Sequence, residues 1–278
     1  MEREELASWL RLTLTPGVGD ETARKLLRSF GLPAAIFGQQ PQALQHILGP
    51  AQAHAFLNQP PELAAQIDTT WAWLQDDSSQ RQIVVLGDAR YPDSLLRIDD
   101  PPLLLYCMGR LDLPLDSSTT LAIVGSRNPT PQGALNSRQF AHSLSQSGFT
   151  IASGLALGVD AAAHEGALDA ATPQSRQLAT IAVVGTGLDR VYPKRHLQLA
   201  HRIAEHGLII SEYPLVTPPL AANFPLRNRL IAALSFATLV VEAPLTSVSH
   251  LSSRLAAYPG MELFAIPGSI PSANSITV

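Results

Sequence analysis

Positively charged side chains follow prolines at two places in the sequence. Lys194 and Arg195 come directly after Pro193, and Arg227 and Arg229, with Asn228 between them, come just after Pro225. Proline is favoured in the first turn of a helix, so both sets fall at expected helix N-termini. The partial positive charge of such a terminus disfavours a cation by roughly 0.3–1 kcal/mol unless an anion is bound. Arg127 stands near a third expected helix start. Any one of these side chains, taken alone, is satisfied by splaying into water. Gathered on one edge of a sheet, they predict binding of an anion with several charges.

Small residues surround the cations. Gly125 and Ser126 precede Arg127, and Gly154 and Gly158 lie in the run Ser153-Gly-Leu-Ala-Leu-Gly-Val-Asp160. Gly185 and Gly187 open the stretch that ends at Lys194, and Ser211-Glu-Tyr-Pro214 forms a further turn. Small residues leave backbone N–H groups open to anions. The usual mononucleotide signatures are missing: there is no Gly-x-x-x-x-Gly-Lys-Ser/Thr loop, and Gly185-x-Gly187 is followed by Arg190 where a dinucleotide fingerprint needs glycine. A polyanion crossing several loops fits the spread of cations better. Phe224, beside the arginines, is a candidate for stacking a base or for packing under the helix start, and Tyr192 and Tyr213 are further stacking candidates.

Catalytic patterns are poorly matched. His164-Glu165 opens like a zinc-protease motif, but position 168 is leucine, and no Gly-x-Ser-x-Gly elbow occurs. Asp160, Glu212 and Glu242 lie near expected strand ends, where they are read as partners of loops and arginines rather than as an acid and a base. With a single cysteine, Cys107, neither an internal disulfide nor a cysteine-based zinc site can form. No metal or cofactor is expected.

The elements that must position these residues follow from periodicity. From residue 83 onward, short apolar or β-branched runs alternate with helical patterns, at 83–86, 103–107, 121–124, 150–152, 180–184, 208–210, 238–241 and 262–266. The runs lack polar alternation, as strands buried on both faces do. Helices are expected near 132–147, 161–169, 194–206, 225–234 and 248–258. The prediction is a doubly wound, mostly parallel α/β sheet over residues 79–278, in which ligands bind beyond the carboxyl ends of the strands. Residues 1–78 read as a small all-helical domain. Leu6, Leu10 and Leu14 mark one helix face, Asp20 is expected to cap the next helix, and Gly31 to end it. The turn Pro16-Gly-Val-Gly19 is similar to a helix-hairpin-helix turn. Its N–H groups are suited to a phosphate, although a packing role is the better reading.

Composition sets outer limits. The chain has 278 residues with a net charge of −4, so cations that meet a nucleic acid must be gathered locally. The longest mostly apolar stretch without charge, 230–241, is too short to span a bilayer. The acidic N-terminus lacks a signal-peptide core, and a cytoplasmic protein is expected.

Several of these segments, taken in order, resemble the DNA-processing protein A (DprA) family. They are the run from Asp88 to Gly109, Gly125-Ser-Arg127, Ser153 to His164, Gly185 to Pro193, Ser211-Glu-Tyr-Pro214 and Asn223-Phe-Pro-Leu-Arg-Asn-Arg229. The resemblance implies a Rossmann-like fold and single-stranded DNA binding without known catalytic turnover. It also implies homodimerisation, protection of incoming DNA, and loading of RecA recombinase during natural transformation. Carried onto this sequence, Arg127 and Lys194 look like basic DNA contacts, and Arg227, Asn228 and Arg229 look like the other wall of the pocket. The segment after Ala243 departs from the family, lacking the glycine of its usual Ser-Gly loop, and no winged-helix tail is expected. A nucleotide hydrolase of the cytokinin-activating type is the alternative, but its Pro-Gly-Gly-x-Gly-Thr-x-x-Glu motif is missing and the nearest segment is Ile266-Pro-Gly-Ser269.

Overall fold

The computed structural model describes residues 1–172, 175–242 and 262–266. The helix expected over 248–258 and the segment 267–278 lie outside these residues. The chain opens with α1 (Arg3–Leu14), α2 (Asp20–Phe30), α3 (Pro33–Phe37), α4 (Pro41–Leu48), α5 (Pro50–Phe56) and α6 (Leu63–Asp76). Prolines in the first turn start α3, α4 and α5. Gly31, at φ +82°, ends α2. At five residues α3 is too short for a helical period to show, and the sequence reading missed it. Asp20 does not cap α2: it is the helix's first residue, Gly19 is the cap, and the Asp20 carboxyl lines a cavity against the sheet.

The helical region shares its core with the rest of the molecule. Leu6, Trp9, Leu10 and Leu26 belong to one apolar cluster with Ile83, Val85, Leu103, Tyr106 and Leu215. A buried arginine fastens the seam, with Arg24 of α2 donating to Asp100 at 2.7 Å and to the Pro101 carbonyl at 3.0 Å. The Pro16–Gly19 turn is also packed, since Gln52 of α5 donates to the Gly17 carbonyl.

The sheet comprises β1 (Arg81–Val85), β2 (Leu104–Gly109), β3 (Thr120–Gly125), β4 (Thr150–Ser153), β5 (Thr180–Val183), β6 (Leu208–Ser211), β7 (Ala237–Val241) and β8 (Glu262–Ala265). Their order is β1-β2-β6-β5-β4-β3-β7-β8. Strands β3 to β8 pair in parallel, whereas β2 runs antiparallel to both β1 and β6. A parallel neighbour needs a crossover element. Between β1 and β2 the chain forms only a short 3-10 turn, Asp93–Arg97, so the strand enters the other way. The crossovers are α7 (Pro131–Gln146), α8 (Val159–Ala170), α9 (Leu197–His206) and α10 (Asn223–Ala233). Apolar clusters cover the sheet, with Ile181, Val183 and Leu230 in one and Ile123, Ile151 and Ala163 in another.

Two helix starts differ from the sequence reading, and both differences touch the cations. Lys194 and Arg195 lie in a 3-10 turn, Lys194–His196, that precedes α9. Helix α10 begins at Asn223, before Pro225, so Arg227 and Arg229 fall in its second turn rather than its first. The dipole argument for these four cations is therefore weaker than the sequence implies, because the effect fades beyond the terminal turn.

Candidate nucleic-acid interface

The chain winds from β3 across β4, β5 and β6, then returns to β7 on the other side of β3. Ligands of such sheets bind outside the strand ends, at the crevice where the winding reverses. Here that crevice lies between the ends of β3 and β7. Gly125 closes β3, and a side chain there would strike the Val241 carbonyl and Val159. Only glycine lets the strand ends approach this closely.

The anion seat at this crevice is taken by the chain itself. Glu242 follows β7 at φ +46°, and its carbonyl accepts the Ser126 N–H at 2.8 Å. Its carboxylate accepts the Thr130 N–H at 2.6 Å and the Thr130 hydroxyl as well. Thr130 is the N-cap of α7, and its Oγ1 accepts the Gly133 N–H at 3.1 Å. A side chain at Gly133 would occupy the space of the carboxylate. A negative group on a helix N-terminus is the electrostatically favoured arrangement. Here the group is internal.

The glycine loop from Ser153 to Gly158 is filled in the same way. Asp160, in the first turn of α8, accepts the Ala156 N–H at 3.3 Å and lies 3.8 Å from Arg227. Burial pushes the Asp160 carboxyl up, and the Arg227 guanidinium opposes that shift. Arg227 itself is buried, its side chain 4% exposed, and it donates to the carbonyls of Gly154 and Val183. Gly154 leaves room for the guanidinium, since a side chain there would overlap it unless Arg227 shifted. Leu155, at φ +57°, donates its N–H to His164 Nε2 at 3.2 Å. His164 Nδ1 then donates to Thr180 Oγ1 at 2.7 Å, which donates to the Ile151 carbonyl at 2.6 Å. This chain fixes the tautomer, and burial lowers the His164 pKa to about 3.

The predicted site residues thus divide. Arg127 and Lys194 are exposed. The Arg127 guanidinium carbon stands 5.8 Å from the centroid of the Phe224 ring, and Phe224 packs on Tyr192 with centroids 5.4 Å apart. Lys194 comes two residues after Tyr192. Gly125, Ser126 and Gly158 support this face as half-buried backbone. Arg227 is not on it. Nor is Arg229, whose side chain is 14% exposed and pairs with Glu212, with Asp100 at 3.8 Å. Asn228 is half-buried and accepts from Arg227 Nε at 3.1 Å. The resemblance places Arg227 and Arg229 on a pocket wall; the structure turns them inward onto Asp160 and Glu212, two carboxylates that the sequence already marks as partners of loops and arginines. Both lie on other elements, so spacing alone could not reveal the pairs. Asp160, directly after the glycine loop, was the available signal.

The open chemistry is Arg127 over the Phe224 ring, Phe224 in tilted contact with Tyr192, and the exposed Lys194 two residues further along the chain. Among the described residues, no group of three His, Cys, Asp or Glu is placed to hold a metal ion. No described helix is long and apolar enough to cross a membrane.

Comparison with known proteins agrees with this architecture. The family model for DNA recombination-mediator protein A matches residues 82–277. The chain is 37% identical over 274 residues to the protein Smf of Synechocystis, covering 97% of this chain and 66% of that protein, just under two thirds of its length. The crystal structure of DNA processing protein A from Streptococcus pneumoniae superposes with a TM-score of 0.75 at 31% identity, covering 99% of this chain and 89% of that one. A structure of the Helicobacter pylori protein, described as showing a unique single-stranded DNA binding mode, gives a TM-score of 0.60 at 36% identity over 70% of this chain and 86% of that one. A mostly parallel eight-stranded sheet, a preceding helical region and a family match across the sheet converge on one assignment: the chain belongs to the DNA recombination-mediator protein A (DprA/Smf) family.

Proposed function

We propose that this protein binds single-stranded DNA along the rim formed by Arg127, Lys194, Phe224 and Tyr192, and acts in DNA processing for recombination. The observation that carries the reading is Arg127 over the Phe224 ring, with Phe224 in tilted contact with Tyr192 and Lys194 two residues on. Single strands are held by cations that track the backbone and by aromatic faces that take bases, each base contributing about 1–3 kcal/mol. Binding without sequence readout follows, since every base has a π-face. Support also comes from the Helicobacter pylori relative, whose structure concerns single-stranded DNA binding.

The family assignment carries the finer reading. The protein shields incoming DNA in the cytoplasm, works as a homodimer, and hands the strand to RecA recombinase during natural transformation. It acts by binding, not by turnover. The nucleotide-hydrolase alternative is disfavoured because Glu242 and Asp160 occupy the two seats a nucleotide phosphate would need.

Anisotropy of labelled oligo-dT tests the reading. Wild type is expected to bind with a log–log salt slope near −0.7 for each phosphate held. Unchanged affinity in a correctly folded Arg127→Ala/Lys194→Ala double variant would end the idea. Release of free base from AMP, followed by chromatography, would restore the enzyme alternative.

A further inference from the structure

We infer that Arg227 is a positioning residue: a buried post that sets the Ser153–Gly158 loop, and through that loop the separation of Arg127 and Lys194. The inference rests on the DNA-binding reading and adds a role that reading does not contain. The loop touches both cation-bearing segments. At one end Gly158, at φ +81°, lies against the Ser126 carbonyl and the Arg127 backbone, and the next residue, Val159, donates its N–H to Ser126 at 3.1 Å. At the other end the Leu155 carbonyl accepts from His196 Nδ1 at 3.0 Å. His196 ends the 3-10 turn that begins with Lys194. The loop is therefore a spacer between Arg127 and Lys194.

Arg227 holds that spacer from beneath. One terminal nitrogen donates to the carbonyls of Gly154 and Val183, joining the loop to β5. The other faces Asp160 at 3.8 Å, and Asp160 in turn holds the Ala156 N–H. A lysine would keep the charge but could not repeat this forked geometry. No phosphate need reach the guanidinium for it to matter, because it fixes where the two phosphate-binding side chains stand.

Full-length variants compared for oligo-dT binding across a KCl series separate this role from a direct contact. Arg127→Ala and Lys194→Ala are each expected to reduce the magnitude of the salt slope by about 0.7. Arg227→Lys is expected to weaken binding by about tenfold and to shallow the slope, although it removes no charge. A direct phosphate contact predicts instead that lysine substitutes with little loss. Two variants that leave Arg227 in place cover the case in which Arg227→Lys fails to fold. Gly154→Ala puts a methyl group where the guanidinium lies, and His196→Ala cuts the tie to the Lys194 turn. Both should weaken binding in folded protein while every exposed cation remains. Wild-type affinity and slope in Arg227→Lys, or in both of the other two, overturns the inference. Absence of oligo-dT binding by wild type, or indifference to Arg127→Ala, instead overturns the DNA reading and the inference with it.

Discussion

Arg227 and Arg127 meet the same loop at different points, Gly154 and Gly158, and they do different work. Arg227 meets two backbone carbonyls and a carboxylate, and lies buried. Arg127 meets an aromatic face and stays exposed. The same division holds between Arg229, drawn inward by Glu212, and Lys194, left open. A cation on this sheet edge becomes structural when a carboxylate from another element lies within reach, and remains available to a ligand when none does. Counting positive charges in the sequence cannot make that distinction. Placing the acids can.

The comparison breaks most visibly through stability. Arg227→Ala leaves Asp160 buried without its partner and should cost about 3–5 kcal/mol in denaturant unfolding. Adding Asp160→Asn should return part of that loss, and a purely additive double-mutant cycle would show the pair to be uncoupled. The exposed pair should behave oppositely. Arg127→Ala with Lys194→Ala should lower oligo-dT affinity by about 100-fold at low salt while moving the unfolding midpoint very little. A large fall in stability in that variant would erase the distinction between the two sets.

Acid sharpens the comparison from the loop side. The His164 pKa is lowered to about 3 in the folded protein. As pH falls below about 6.5, the unfolded chain takes up that proton first, so stability is lost on acidification, by about 2 kcal/mol at pH 5. The raised carboxyls of Asp160 and Glu212 act in the opposite sense. Their contribution is present below the ordinary carboxylate range and is lost as pH rises through their folded values. Comparing wild type with His164→Gln isolates the histidine: the pH dependence of their difference should flatten above pH 7, and a difference that stays constant from pH 7 to 5 would remove His164 from the account. The smallest expected effect is at the stack, where Tyr192→Ala should cost about 1 kcal/mol of oligo-dT binding, read by anisotropy.

Much of the fold was legible in the sequence. The eight described strands overlap apolar runs such as Leu121–Val124; for the inner strands this reflects burial on both faces, whereas β8 is largely exposed. The direction of β2 was not legible, since orientation depends on what the connecting segment does rather than on the strand itself. Of the candidate site, Arg127 is legible as a cation just after β3, Lys194 as a cation directly after a proline, and Phe224 as a ring beside the arginines. Their neighbours were less so. Arg24 finds Asp100 from 76 residues away, and the Glu242 carboxylate reaches Thr130 from 112. Long-range pairs of this kind decide which charges are spent inside, and local pattern does not encode them.

Glu242 in the crevice has a consequence for selectivity. A free mononucleotide offers one phosphate cluster and one base, and docks on this class of sheet chiefly through the helix start that Glu242 already covers. A strand offers many weak holds in series, so losing the deepest one matters little to it and a great deal to the monomer. On the proposed function, the internal carboxylate works as a filter: it denies a soluble nucleotide the helix start, whereas a polymer that reaches several points of the rim at once keeps its other holds.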